Sequence, residues 1–103
     1  MNLDEKSITA IVATMRMLSN ENRLRILNSL HEGAKTWTQL EKKLDINPKS
    51  LKHHLDFLKE HNVVTEDKRL GYKLTDAGEA FMVLSINDII TTVQEAGRII
   101  RGD

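Results

Sequence analysis

The interval between Leu44 and Pro48 is the tightest constraint in this chain. Thr38-Gln39-Leu40-Glu41 reads as a capping box, a hydroxyl cap with a Glu three residues on, opening a short helix with Leu40 and Leu44 turned inward. Asn47 then suits a helix N-cap and Pro48 the first helical position, where a missing N–H has no partner to lose. The helix that follows carries Leu51, Leu55 and Leu58 on one side and ends near His61-Asn62. Only Asp45-Ile46-Asn47 separates the two, so the chain must turn sharply. Two helices joined in this way form a helix-turn-helix unit.

The flanking pattern extends the unit. Ile8, Ile11, Val12, Met15 and Leu18 recur at helical spacing. Ser19 precedes a second helix carrying Leu24, Leu27 and Leu30, which Gly33 is placed to end in a left-handed conformation. After the unit, Val63-Val64-Thr65 and Gly71-Tyr72-Lys73-Leu74 read as two strands around a charged loop, Glu66 to Leu70. Thr75 caps a further helix with Ala77, Phe81 and Leu84. The apolar register then slips by about one residue, with Ser85 or Asn87 available as a new cap before Ile86, Ile89, Ile90, Val93, Ala96 and Ile100. The expected fold is mainly α with one small β-hairpin: a winged helix-turn-helix, one domain over 1–103 with its winged core about 19–84.

Turned at about 100° per residue, Lys49 and His53 fall opposite Leu51, with Ser50 and Lys52 on the flanks. These side chains can donate to base edges and phosphates in a major groove. Phe57 breaks the polar face and is expected to pack on a neighbouring element. Lys68-Arg69 at the hairpin tip, with Tyr72 and Lys73 behind, forms a basic finger of the kind that meets a DNA backbone or minor groove. Thr38 and Gln39 can direct backbone N–H groups at a phosphate.

Net charge is zero, yet Lys35 to Lys73 holds nine basic and six acidic side chains, so the centre is basic between acidic ends. Cysteine is absent, which excludes disulfides, thiolate metal ligands and cysteine nucleophiles. No apolar run approaches the length of a membrane span, and the acidic opening Met1 to Glu5 is unlike a signal peptide; a cytoplasmic protein is expected. There is no glycine-rich phosphate loop and no cluster of carboxylates with a plausible pocket, so an enzyme is not expected.

Met17 through Leu27 resembles the opening helix of ArsR-type regulators, with Arg23, Ile26 and Leu27 at the matching positions. Ile46 to Leu58, with the His54-Leu55 pair, is similar to that family's recognition helix, and Lys59 to Val64 to the turn into its wing. Leu70 to Gly78 resembles the wing strand and the L-T-x-x-G helix start of many archaeal and bacterial winged-helix regulators. The resemblance spans about residues 15–82 and implies a DNA-binding regulator. Two departures imply that no metal or other cofactor is held. Trp37 to Glu41 stands where metal-sensing members carry a cysteine pair, and the last helix has Asp88 and Glu95 but no His. The family's usual turn glycine is also missing, leaving Asp45 or Asn47 to take its backbone angles.

The partners expected are therefore double-stranded DNA at a near-palindromic site and a second copy of the chain. Ile8, Ile11, Val12 and Met15 at one end, and Ile86, Ile89, Ile90, Val93 and Ile100 at the other, exceed what one small winged helix can cover. The alternative is a winged helix used for protein–protein contact in a larger assembly, which has no need of lysines on both recognition helix and wing.

Overall fold

The computed structural model describes residues 2–102, the side chains of 84–87 and 99–101 excepted. Its elements run α1 (Glu5–Leu18), α2 (Glu21–His31), α3 (Trp37–Leu44), α4 (Pro48–Glu60), β1 (Val64–Asp67), β2 (Gly71–Leu74), α5 (Asp76–Ala80), a π-helical segment (Phe81–Ile86) and α6 (Asn87–Arg101). This is the winged helix-turn-helix, mainly α with one antiparallel hairpin pairing Val64 with Leu74 and Asp67 with Gly71.

Side-chain caps set where most helices begin. Asp4 accepts from Ser7 N–H at 2.7 Å, Asn20 from Arg23 at 3.1 Å, Asn47 from Lys49 at 2.9 Å and Thr75 from Gly78 at 3.0 Å. Pro48 occupies the first turn of α4 as expected. Asp45, at φ 50° and ψ 46°, takes the left-handed position of the turn. Gly33 follows α2 at φ +146°, a positive angle well away from the left-handed helical region.

Three local expectations are corrected. The capping box of α3 is Thr36 with Gln39, two residues before the Thr38 cap read from sequence. The chain through Lys35 is held extended against Tyr72 by paired backbone bonds of 2.9 and 2.8 Å, so the helix can start directly after Thr36. Strand β1 continues to Asp67, shortening the wing loop to three residues. Finally, no break separates the last two helices: the chain is helical through Ser85 and Asn87, whose side chains lie outside the described residues. The π segment carries helical bonding from α5 into α6, and the residue it adds per turn is the slip in the apolar register.

Ile26, Leu27 and Leu30 of α2, Leu40 of α3, and Leu51, Leu55 and Leu58 of α4 are at most 1% exposed and form the centre of the core. Val63, Val64, Leu74 and Met82 close it from the wing and π-segment side. Gly78 is needed here: a Cβ would lie 2.2 Å from the Val63 carbonyl oxygen, which already accepts from Thr75 N–H at 3.1 Å. Thr75 Oγ1 also donates to Asn62 O at 2.7 Å, clasping the turn between α4 and β1.

The terminal helices differ. Met17 is the buried residue of α1, whereas Ile8, Ile11, Val12 and Met15 are exposed. On α6, Ile90 and Val93 are exposed and Ile89 half-buried. The side chains of Ile86 and Ile100 lie outside the described residues. Between the end of α1, α2, the π segment and α6 lies a hollow of about 350 Å³, lined by Leu18, Leu24, Asn28, Met82, Ile89 and Ile90.

Candidate nucleic-acid interface

Helix α4 is fixed along its inner face and at its far end, and its outer face is polar. Inward, Leu51, Leu55 and Leu58 lock it against α2 and α3. At its far end, Lys59 Nζ donates to Glu66 Oε1 at 2.8 Å, tying the helix to the wing and holding the ammonium above its ordinary pKa. Opposite the leucines, Lys49, Lys52 and His53 are exposed and Ser50 half-buried. Lys52 Nζ meets Asp56 Oδ2 at 2.7 Å, which raises the lysine pKa and lowers that of the carboxyl. Lys49 has no side-chain partner among the described residues. His53 sits edge-on to His54, ring centres 5.4 Å apart.

The wing tip is shaped by one carboxylate. Asp67 Oδ1 accepts from the backbone N–H of Arg69 at 2.8 Å and of Leu70 at 2.9 Å, which lowers its pKa and folds the loop tightly. That turn leaves the Lys68 and Arg69 side chains exposed and unpartnered among the described residues. Lys73 is held more loosely, its Nζ 3.8 Å from Asp67. Gly71 is required behind the tip: at φ +95°, a Cβ there would come within 2.5 Å of Lys35 O.

The remaining sequence-derived candidates sit differently. Thr38 is exposed in the first turn of α3, but the Gln39 carboxamide accepts from Thr36 N–H at 2.8 Å and belongs to the cap. Tyr72 is half-buried against the core, where burial and then the Glu66 charge push its phenol pKa up. Lys49, Ser50, Lys52 and His53 thus share one face of α4, Lys68 and Arg69 occupy the wing tip, and Tyr72 belongs to the scaffold beneath it.

Sequence reasoning assigned no role to Lys42, exposed on α3 one turn beyond Thr38 and unpartnered among the described residues. It borders a shallow basin of about 430 Å³ with Lys35, Gln39 and Lys43. Arg23 was also without a role. Its guanidinium joins α1, α2 and α4 at once: Nε donates to Met17 O at 3.0 Å, Nη2 to Arg16 O at 2.7 Å and Nη1 approaches His54 Nδ1 at 3.4 Å. The same group lies 4.2 Å above the Phe57 ring, which accounts for the one aromatic on the polar side of α4. His54 is buried, and its pKa is lowered by that burial, then by the charges of Arg23 and His53. No group of three or more His, Asp or Glu among the described residues is placed to hold a metal ion, and no helix is long and apolar enough to cross a membrane.

Residues 20–66 match the family model of the bacterial regulatory proteins of the arsR family. Among solved structures, quinone-bound YodB from B. subtilis is similar at a TM-score of 0.73 with 19% identity, covering 89% of this chain and 99% of that one. HlyU from Vibrio cholerae N16961 gives a TM-score of 0.69 at 24% identity, covering 84% and 97%. The transcriptional repressor BigR from Xylella fastidiosa gives 0.62 at 26%, covering 82% and 91%. No curated protein matches by sequence.

Proposed function

We propose, from the match of residues 20–66 to the family model of the bacterial regulatory proteins of the arsR family, that the chain is a transcription regulator binding double-stranded DNA as a homodimer at a near-palindromic site. One observation carries the reading. Three cations unpartnered among the described residues, Lys49 on α4 with Lys68 and Arg69 at the wing tip, stand on the two elements that such a fold offers to a groove and its backbone. Ser50, Lys52 and His53 contact base edges and nearby phosphates. Lys68, Arg69 and Lys73 contact the backbone, and Thr38 turns the start of α3 toward a phosphate.

The exposed apolar faces of α1 and α6 support the dimer. Ile8, Ile11, Val12, Met15, Ile90 and Val93 are between 39% and 64% exposed, a set a soluble monomer seldom leaves uncovered. A two-fold axis uses the same patch twice, and it presents two α4 helices to successive major grooves about 34–36 Å apart. The winged core of about 19–84 then reads DNA while the terminal helices join two copies in the cytoplasm.

A salt titration of binding to random duplex DNA, run beside sedimentation equilibrium, tests both parts. Phosphate neutralisation gives a steep fall in affinity with salt. A flat salt response would favour the use of this winged helix for protein contact, and a monomer at micromolar concentration would remove the dimer.

A further inference from the structure

We propose that Arg23 is a positioning residue for the recognition helix, linking the C-terminus of α1 to the inner side of α4 through a contact that only neutral His54 can make. The proposal rests on the DNA-binding reading above and goes beyond it, because neither residue faces the groove.

The carbonyls of Arg16 and Met17 lie in the last turn of α1, where helical carbonyls have no partner and the helix end is partially negative. Arg23 satisfies both with Nε and Nη2, so its fork is fixed from the α1 side. Nη1 and the face of the guanidinium remain, and both are spent on α4: the first on His54 Nδ1, the second on the Phe57 ring. Phe57 is stacked in turn on His61 at 4.1 Å, and His61 Nδ1 lies 2.8 Å from the Phe57 carbonyl. One side chain therefore spans from α1 to the middle and last turns of the recognition helix. An arginine donates and never accepts, so His54 Nδ1 must be the acceptor, with its proton on Nε2.

Protonation of His54 would remove that acceptor and set a second cation against Arg23. The charged groups acting on His54 are Arg23 from α2 and His53 from its own helix; no carboxylate among the described residues offsets them. Acid thus acts on the link from both sides, through the lost hydrogen bond and through repulsion. His53 lies on the solvent side of the same helix and takes no part in the link.

The test measures duplex DNA affinity from pH 8 to pH 5.5 for wild type, Arg23→Ala, Arg23→Lys and His54→Asn, with sedimentation and far-UV circular dichroism on each. Asparagine offers an acceptor close to the position of Nδ1 and does not titrate. His54→Asn is expected to match wild type at pH 8 and to bind progressively more tightly than wild type toward the acid end of the range, because burial delays the charging of His54 to below the pH at which a free histidine charges. Arg23→Ala is expected to lose roughly tenfold at pH 8, within the range by which residues remote from a ligand tune its site, and Arg23→Lys to recover only part of it. Identical pH profiles for wild type and His54→Asn, or full affinity in a folded Arg23→Ala, would overturn the proposal while leaving DNA binding intact. Absence of any wild-type DNA binding would instead remove the reading beneath it. Should Arg23→Ala fail to fold, the His54→Asn profile decides alone.

Discussion

The centre of the molecule and its two ends obey the same helical periodicity with opposite results. Ile26, Leu27, Leu51, Leu55 and Leu58 recur at turn spacing and are at most 1% exposed. Ile8, Ile11, Val12 and Met15 recur just as regularly and are between 39% and 52% exposed. Periodicity states that a helix has an apolar face; it does not state what covers it. In the centre the covering element is another helix of the same chain. At the ends the hollow beside Met82 and Ile89 marks where the chain stops filling its own volume.

The contrast is most strongly sharpened by truncation. Leu55→Ala should cost about 3 kcal/mol, read as a lower urea midpoint that does not depend on protein concentration. A loss below about 1 kcal/mol would mean the centre relaxes as freely as the ends. Val93→Asp should change the stability of a single chain by less than about 0.5 kcal/mol. It should nevertheless abolish self-association in sedimentation and weaken binding to a palindromic duplex by tenfold or more. Full DNA affinity in Val93→Asp would break the comparison, because α6 would then be an end without a partner.

Polar groups divide in the same way, into those with a partner in the chain and those without. Arg69→Ala should weaken random and specific duplexes alike and reduce the salt slope by about one, whereas His53→Ala should act mainly on the specific site. His54 gives a pH effect on stability. Its folded pKa lies below the ordinary value, so the unfolded chain takes up the proton first. Stability is therefore fully present above about pH 6.5 and declines as pH falls below it, and His54→Asn should flatten that decline in thermal melts. The smallest effect is expected at Asp56, exposed and paired with Lys52 at 2.7 Å. Asp56→Asn should leave the melting temperature within error while slightly tightening random DNA binding, because it frees a cation.

Most of the central fold was legible because its signals are local. Asn47-Pro48 fixes the start of α4 by hydrogen bonding and ring geometry alone, and Thr75-x-x-Gly78 does the same for α5. The start of α3 was not, since Thr36 with Gln39 and Thr38 with Glu41 are both good capping pairs. What decides between them is the backbone pairing of Lys35 with Tyr72, a contact made from the far side of the hairpin. Within the candidate interface, the polar face of α4 and the cations of the wing tip followed from spacing. Arg23 did not: its partners on α1 and α4 are set by how three helices meet, and the family resemblance marks the position without saying what it touches. On α1 the sequence stripe did not single out the residue that the chain itself covers. Met17, off the main stripe, is the residue that the chain itself buries.

The π segment at Phe81–Ile86 gives the tail a phase as well as a position. In a helical rod an added residue is an angle, about 100° per residue. Deleting one residue within 83–86 and restoring ordinary α-helical bonding would leave Phe81 and the buried Met82 in place against the winged core. It would also rotate every side chain of α6 by about that angle, carrying Ile90 and Val93 to a different side of the rod. In the proposed dimer the segment works as a gear setting between the winged core and the pairing helices, so insertions and deletions there should change the geometry of assembly more than any single substitution on α6.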